Sequence, residues 1–162
     1  MLENTAYDER SAGGIVFRVQ NGTFLWLLVK TSKIKGVRRS SRPNLTEASR
    51  AVYKFPKGHL RPGEFLKQAA LREVEEEGQV KARIIEKIGS NDYIIWDKLT
   101  KKKIVKKVTF FLMEYQADSH LRYFDKEVVL DRVWLPFDEA SERLAYTSEK
   151  TLLRKAREKL KI

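Results

Sequence analysis

Between Gly58 and Val80 the chain fixes Gly58, Glu64, Arg72, Glu73, Glu76 and Glu77 at set offsets, with five residues after the glycine and seven after Glu64. This stretch, GHLRPGEFLKQAALREVEEEGQV, constrains its own local structure. Pro62-Gly63 is turn chemistry. From Glu64 onward the residues favour a helix: Leu66, Ala69, Ala70, Leu71 and Val74 follow, with no Gly or Pro until Gly78. Leu66, Ala70 and Val74 recur four apart and can face a core. Glu73, Glu76 and Glu77 are related by steps of three and four, which puts them on one neighbouring face. A glycine loop therefore leads into a helix with its carboxylates gathered on one side. If each fixed position had the roughly 7% frequency of glycine, six would coincide about once in 10⁷ starting points, so chance is a poor explanation.

Clustered carboxylate oxygens are what hard divalent cations bind. Three like charges this close repel one another, and no lysine in the helix is near enough in sequence to neutralise them all. A bound divalent cation would remove that repulsion. Arg72 lies four residues before Glu76 and is placed to brace a carboxylate through a bidentate pair. Alone, Glu75-Glu76-Glu77 would read as a solvated acidic face. The glycine, Glu64 and Arg72 at these offsets make it a site.

Residues 58–80 resemble the box of the Nudix hydrolases, which cleave the diphosphate linkage of nucleoside diphosphates joined to another group. The lead-in Tyr53-Lys54-Phe55-Pro56-Lys57-Gly58-His59 is similar to the version in the diadenosine polyphosphate hydrolase branch. Weaker likeness extends over Gly13-Gly14-Ile15-Val16, Val108-Thr109-Phe110-Phe111-Leu112 and Val133-Trp134-Leu135-Pro136. Two positions depart from the pattern. Gly78 comes one place early, with Gln79 on the usual glycine site, so the helix exit is expected to move by one residue, since helices commonly end on a glycine of positive φ. Arg61 stands where the related branch often has an acid.

The resemblance implies metal-assisted attack of water on phosphorus, with Mg²⁺ or Mn²⁺ as cofactor. It makes Glu76 and Glu77 the principal ligands, with the Gly58 carbonyl as a further one. Glu73 matches a ligand or general base. Arg72 and Glu64 match residues that orient the carboxylates. Glu127 is the candidate base beyond the box, in competition with Glu114 and Asp118. Lys57 is a candidate phosphate contact, and His59 a support for the loop. Tyr93, Trp96 and Tyr146 are candidates to stack on a base, although aromatics in strands are more often core.

The chain of 162 residues with 42% apolar content suits a single domain, 1–162, with a real core. No segment approaches the roughly 18 apolar residues of a membrane span. Met1-Leu2-Glu3-Asn4 has no signal-peptide core, and the absence of cysteine suits a reducing cytoplasm. His59 and His120 cannot form a zinc site unaided. The net charge of +11 argues for an anionic partner. Residues 30–57 carry Lys30, Lys33, Lys35, Arg38, Arg39, Arg42, Arg50, Lys54 and Lys57 against Glu47 alone, and Lys101, Lys102, Lys103, Lys106 and Lys107 form a second cluster. Neither cluster interleaves aromatics as a single-strand platform does, which ranks nucleotide polyphosphates above nucleic acid. Oligomeric state is open.

The order of elements is α/β. Gly14–Val19 and Thr23–Lys30 flank the hairpin turn Asn21-Gly22. Residues 31–50 read as a long basic loop or insertion. Strands are expected at Ala51–Phe55, Ile84–Ile88, Asp92–Trp96, Ile104–Tyr115 and Val128–Leu135, with a turn at Lys98–Lys103. A short helix over Asp138–Tyr146 precedes a last one capped by Ser148 and running through Leu160. This order suits the α/β/α sandwich of the resembled family, a mixed β-sheet flanked by helices. The expected activity is a pyrophosphohydrolase acting on a dinucleoside polyphosphate such as diadenosine tetraphosphate. Its rivals are an oxidised nucleoside triphosphate pyrophosphatase, an RNA 5′-pyrophosphohydrolase and, in another class, a non-catalytic nucleotide- or RNA-binding domain.

Overall fold

The computed structural model describes residues 8–33, 51–121 and 127–162. In chain order these form β1 (Glu9–Gln20), β2 (Thr23–Lys33), β3 (Val52–Lys54), β4 (Lys57–His59), α1 (Leu66–Gly78), β5 (Val80–Asp97), β6 (Lys102–Asp118), β7 (Glu127–Leu135), α2 (Phe137–Arg143) and α3 (Thr147–Leu160). Asn21 and Gly22 join the first two strands with φ of 51° and 76°, the backbone a tight two-residue hairpin requires.

The seven strands make one sheet along the path β3-β2-β1-β6-β5, with β4 beside β1 and β7 beside β2. β1 and β6 are parallel, whereas β1 and β2 are antiparallel, so the sheet is mixed. β1 pairs with β2 through Phe17–Gln20 and with β4 through Ser11–Gly13. The far end of β2 takes β3 instead, at Val29–Thr31. The chain from β3 to β4 thus fills the opening between the first two strands.

Strand side chains alternate between faces. Ile15 and Phe17 point one way and pack with Trp26, Phe55 and Phe110 beneath Ala140 of α2 and Leu152, Leu153 and Ala156 of α3. Ala12 and Val16 point the other way, with Leu27 and Met113, beneath Ala69, Ala70 and Val74 of α1. Helices cover both faces, giving the expected sandwich. The turn between β5 and β6 is closed by the Asp97 carboxylate, which accepts the Leu99 N–H at 2.9 Å and the Thr100 hydroxyl at 2.7 Å. No helix among the described residues is long and apolar enough to cross a membrane.

Four expectations need correction. Thr31–Lys33 belong to β2, and residues 34–50 of the expected loop lie outside the described ones. Ile84–Ile88 and Asp92–Trp96 are one strand, because register shifts, one of them between Lys87 and Gly89, carry β5 past the glycine without a turn. Ser148 is inside α3, and the backbone of Tyr146 caps that helix without a side-chain bond. The glycine at 78 does not move the exit of α1: Gly78 stays helical, and Gln79 takes the left-handed conformation with φ 55° and ψ 39°.

Candidate active site

α1 begins where the turn chemistry ends. Gly63 has a φ of +75°, the Glu64 N–H bonds back to the Arg61 carbonyl at 3.0 Å, and the Gln68 side chain accepts the Phe65 N–H at 3.0 Å. These contacts set the helix phase. Ala70 and Val74 then enter the core, and Glu73, Glu76 and Glu77 come under the β4 loop. All three carboxylates are buried, at 4%, 4% and 6% exposure. Buried charge is tolerated only when partnered.

Arg72 is the chief partner. Its Nε and Nη2 donate to the two oxygens of Glu64, both at 2.8 Å, a bidentate pair. Its Nη1 donates to Glu73 at 2.7 Å and to both oxygens of Glu76 at 3.1 Å. Nη2 also reaches the His59 carbonyl at 2.9 Å, tying the glycine loop to the helix. The bonds to Glu64, Glu76 and Glu73 raise the affinity of Arg72 for its proton, against the effect of burial. Conversely, the Arg72 bond holds the Glu64 carboxyl below its ordinary value. Arg61 adds an ion pair to Glu76 at 3.6 Å. Arg72 therefore braces the carboxylates as expected and neutralises within the chain much of their mutual repulsion.

The loop meets these groups closely. A Cβ on Gly58 would stand 2.2 Å from a Glu73 oxygen, so only glycine lets the backbone approach. The Lys57 N–H donates to Glu77 at 3.1 Å, and Arg132 of β7 donates to the Glu77 carbonyl at 2.6 Å. Desolvation lowers the Arg132 pKa, with Glu77 opposing it.

Among the described residues no three His, Asp, Glu or Cys side chains stand in a closed metal-ligand arrangement, and a guanidinium lies between Glu73 and Glu76. The donor set nevertheless fits a hard cation: buried carboxylates on successive turns, packed against a backbone that glycine brings within contact. Glu73, Glu76, Glu77 and the Gly58 carbonyl are the groups that can hold one.

The structure gathers Gly58, Glu64, Arg72, Glu73, Glu76 and Glu77, and places the side chains of Lys57, His59, Tyr93, Trp96 and Tyr146 elsewhere. The Lys57 side chain lies on the opposite face of the sheet, its pKa lowered to about 8 by desolvation and by Lys54 and Lys106. The His59 ring pairs with Glu9 at 3.1 Å. Gly58, Ala12, Thr109 and Ser90 share a rung; Trp96 lies six residues along β5, about 20 Å away at some 3.3 Å per residue. Tyr93 packs against the core on the α3 side, and Tyr146 is exposed beside the start of α3. Glu127 heads β7 opposite Lys33, and its side chain lies outside the described residues. Its competitors are engaged elsewhere, Glu114 with Arg83 and Asp118 with the Tyr115 hydroxyl.

Two side-chain roles were not among the sequence expectations, one of Gln79 and one of Glu149. Gln79 secures the end of α1, its amide donating to the carbonyls of Glu76 at 3.0 Å and Leu121 at 3.1 Å. Glu149 is 1% exposed and accepts the Phe55 N–H at 3.2 Å. Its signal was present in the sequence: Glu149, Leu152, Leu153 and Ala156 are spaced as an apolar stripe, with an acid in the first place.

A glycine-loop carboxylate nest on a mixed α/β/α sandwich defines a hydrolase of the Nudix class. The chain belongs to the NUDIX domain family, whose model matches residues 9–156. The family generally uses divalent metal ions. The chain is 33% identical over 120 residues to the asymmetrical bis(5′-nucleosyl)-tetraphosphatase of Sus scrofa, covering 67% of this chain and 74% of that one. It is 34% identical over 103 residues to MutT4 of Mycobacterium tuberculosis, named as a mutator protein, and the match covers 64% of this chain but only 40% of the relative. Among solved structures, the C. elegans Ap4A hydrolase superposes with a TM-score of 0.60 at 23% identity over 94% of this chain and 98% of that one. The NUDIX domain of Shewanella oneidensis NrtR, solved with ADP ribose, gives 0.65 at 19% identity over 96% and 90%. The resemblance to the diadenosine polyphosphate hydrolase branch carried by the Phe-Pro-Lys-Gly-His lead-in is supported by the Sus scrofa tetraphosphatase and the C. elegans Ap4A hydrolase.

Proposed function

We propose that this protein hydrolyses dinucleoside polyphosphates, with diadenosine tetraphosphate as the representative substrate. The observation that carries the reading is the burial of Glu73, Glu76 and Glu77 against Gly58, together with the tetraphosphatase relative that shares a third of its residues over the matched stretch. Mg²⁺ or Mn²⁺ is the proposed cofactor, held by those carboxylates and the Gly58 carbonyl. When bound, such an ion polarises phosphate oxygens and neutralises developing charge.

The chain's own residues do the rest. Glu64 and the His59 carbonyl fix the Arg72 guanidinium, and Arg72 orients Glu73 and Glu76. The Lys57 N–H orients Glu77. A carboxylate, Glu73 or Glu127, takes the proton of the attacking water. A P–O bond of the diphosphate breaks, and the leaving phosphate departs with its nucleoside. A cytoplasmic setting supplies such substrates.

A second reading has one observation in its favour. Trp96 pairs with Lys103, and Lys107 lies on the same face of the sheet as Gly58, so a polyanion longer than a dinucleotide has a basic path beside the site. That reading is RNA 5′-pyrophosphohydrolysis. A panel of diadenosine polyphosphates, ADP-ribose, oxidised dGTP and triphosphorylated RNA, with products identified, separates the possibilities. Fastest turnover of diadenosine tetraphosphate into nucleotides, with no inorganic diphosphate released, is expected. Preferential release of inorganic diphosphate from oxidised dGTP or RNA rejects the first reading. Tight binding without turnover of any compound makes the domain a reader.

A further inference from the structure

We infer that Glu149 is a positioning residue for the active site: from the first turn of α3 it fixes the backbone before Gly58, so that the glycine and Glu77 are held at the carboxylate cluster. The inference rests on the metal site proposed above and adds to it a residue from the opposite side of the sheet.

Phe55-Pro56-Lys57 is the strap that carries Gly58 to α1. Proline has no N–H, so this strap has two backbone donors, and each goes to a carboxylate. Phe55 donates to Glu149 on the α3 face at 3.2 Å, and Lys57 donates to Glu77 beside α1 at 3.1 Å. Between them the Pro56 carbonyl accepts the Gly14 N–H of β1 at 3.1 Å. Three successive residues are thus pinned to three elements. Slack at the Phe55 end moves Gly58, whose backbone already stands within contact of Glu73.

Packing alone would favour a leucine at position 149. The side chain lies in the stripe of Leu152, Leu153 and Ala156, is 1% exposed, and leaves Oε2 with no hydrogen-bond partner. An acid there is costly. Its place in the first turn of a helix offsets part of that cost. Burial raises the Glu149 pKa to about 7, opposed by Lys57, the Phe55 bond and Lys54. The protonated acid still accepts the Phe55 bond through Oε1, which makes glutamine a faithful substitute and aspartate, shorter by about 1.5 Å, a poor one.

The test titrates Mn²⁺ into the wild type, Glu149→Asp, Glu149→Gln and Glu76→Gln by electron paramagnetic resonance, and measures kcat and KM on diadenosine tetraphosphate. Glu149→Asp is expected to weaken Mn²⁺ binding and lower kcat by about 10-fold or more, with KM moving less than about threefold. Glu149→Gln stays within about threefold of the wild type on all three. Unchanged Mn²⁺ affinity and kcat in folded Glu149→Asp, even with a lower melting temperature, overturns the inference and leaves Glu149 a packing residue. Glu149→Gln as impaired as Glu149→Asp also overturns it. Should the aspartate variant not fold, the Phe55 amide decides: its hydrogen exchange must be slow in both the wild type and Glu149→Gln, and fast exchange in the wild type rejects the strap. Glu76→Gln keeps the two failures apart. Mn²⁺ affinity untouched by that variant sinks the metal site itself, whereas affinity lost there but kept in Glu149→Asp sinks only the positioning role.

Discussion

The densest acidic and the densest basic stretches of this molecule are handled in opposite ways. On α1, Glu73, Glu76 and Glu77 are buried, and Arg72, Arg61 and the Lys57 N–H partner them at 2.7–3.6 Å. At the end of the β5–β6 hairpin, Lys98, Lys101, Lys102 and Lys103 are exposed, beside Trp96 at 57% and Leu99 at 93% exposure. Buried charges interact strongly because little water screens them; exposed ones contribute mainly a field. The acids should therefore govern chemistry and stability. The lysines should govern encounter with an anion and its dependence on salt.

The largest effect is expected at the carboxylates. Glu76→Gln keeps the shape of the side chain and removes its charge. It should lower kcat by more than about 100-fold, beyond the 10- to 100-fold typical of residues that only orient a ligand, while the protein stays folded by circular dichroism. A fall below tenfold would show that burial of this acid serves the fold and not the reaction.

Arg72→Met comes next, since it leaves Glu64, Glu73 and Glu76 without their shared cation. The Arg72 side chain is 18% exposed, so its rim is wet and the loss should lie near the lower end for a broken buried pair, about 3 kcal/mol. For a chain of this length that is a drop of about 6–12 °C in Tm. The pH dependence sharpens the point. Arg72 depresses the Glu64 pKa below its ordinary 4.5, so the stability due to that pair is complete above 4.5 and lost as pH falls through the lower folded value. In Arg72→Met the acid limb of the stability curve should flatten. An unchanged limb would place the depression elsewhere.

The same contrast explains what could be read in the sequence. The nest was legible because helix periodicity and a glycine offset are local properties: Arg72, Glu73, Glu76 and Glu77 lie on two turns of α1, and Glu64 lies in the turn just before it. The sandwich was legible from the order of elements and the family resemblance, and the continuous apolar runs of β1, β2 and β6 are what strands covered on both faces require. What failed were a strand end placed before Gly89 and a helix exit moved by Gly78. Gly89 does not end a strand: a Cβ there would meet Leu152 of α3 at 3.1 Å, so its small size serves the packing of a helix remote in sequence. Gly78 is small for Leu27, which a Cβ would meet at 2.9 Å. Glu149 went unread for a related reason, since the donor it satisfies is 94 residues away.

Gln79 gives a test of intermediate size. It holds a left-handed conformation that costs a non-glycine residue about 1 kcal/mol, and its side-chain bonds to two carbonyls return a similar amount. Gln79→Ala should lose the bonds and keep the strain, for a loss of about 1 kcal/mol. Gln79→Gly loses the bonds and the strain together and should match the wild type. Urea melts of the three proteins decide it, and equal stability of the two variants would mean the left-handed turn carries no strain.

The smallest effect on stability is expected at the hairpin, and there its smallness is informative. Lys102→Gln with Lys103→Gln removes two exposed charges that stand opposite Asp97 and Trp96 in the β5–β6 ladder. Tm should move by no more than about 2 °C, because exposed lysines are held in place by nothing that folding needs. Turnover at saturating diadenosine tetraphosphate should also hold, since Trp96 lies about 20 Å along β5 from the rung of Gly58. A loss confined to KM for triphosphorylated RNA, and erased by raising the salt, would assign the arm to a longer polyanion. Equal KM changes for both substrates would instead make the lysines a general source of attraction, and a fall in kcat for the dinucleotide would show that the arm folds over the carboxylates during turnover.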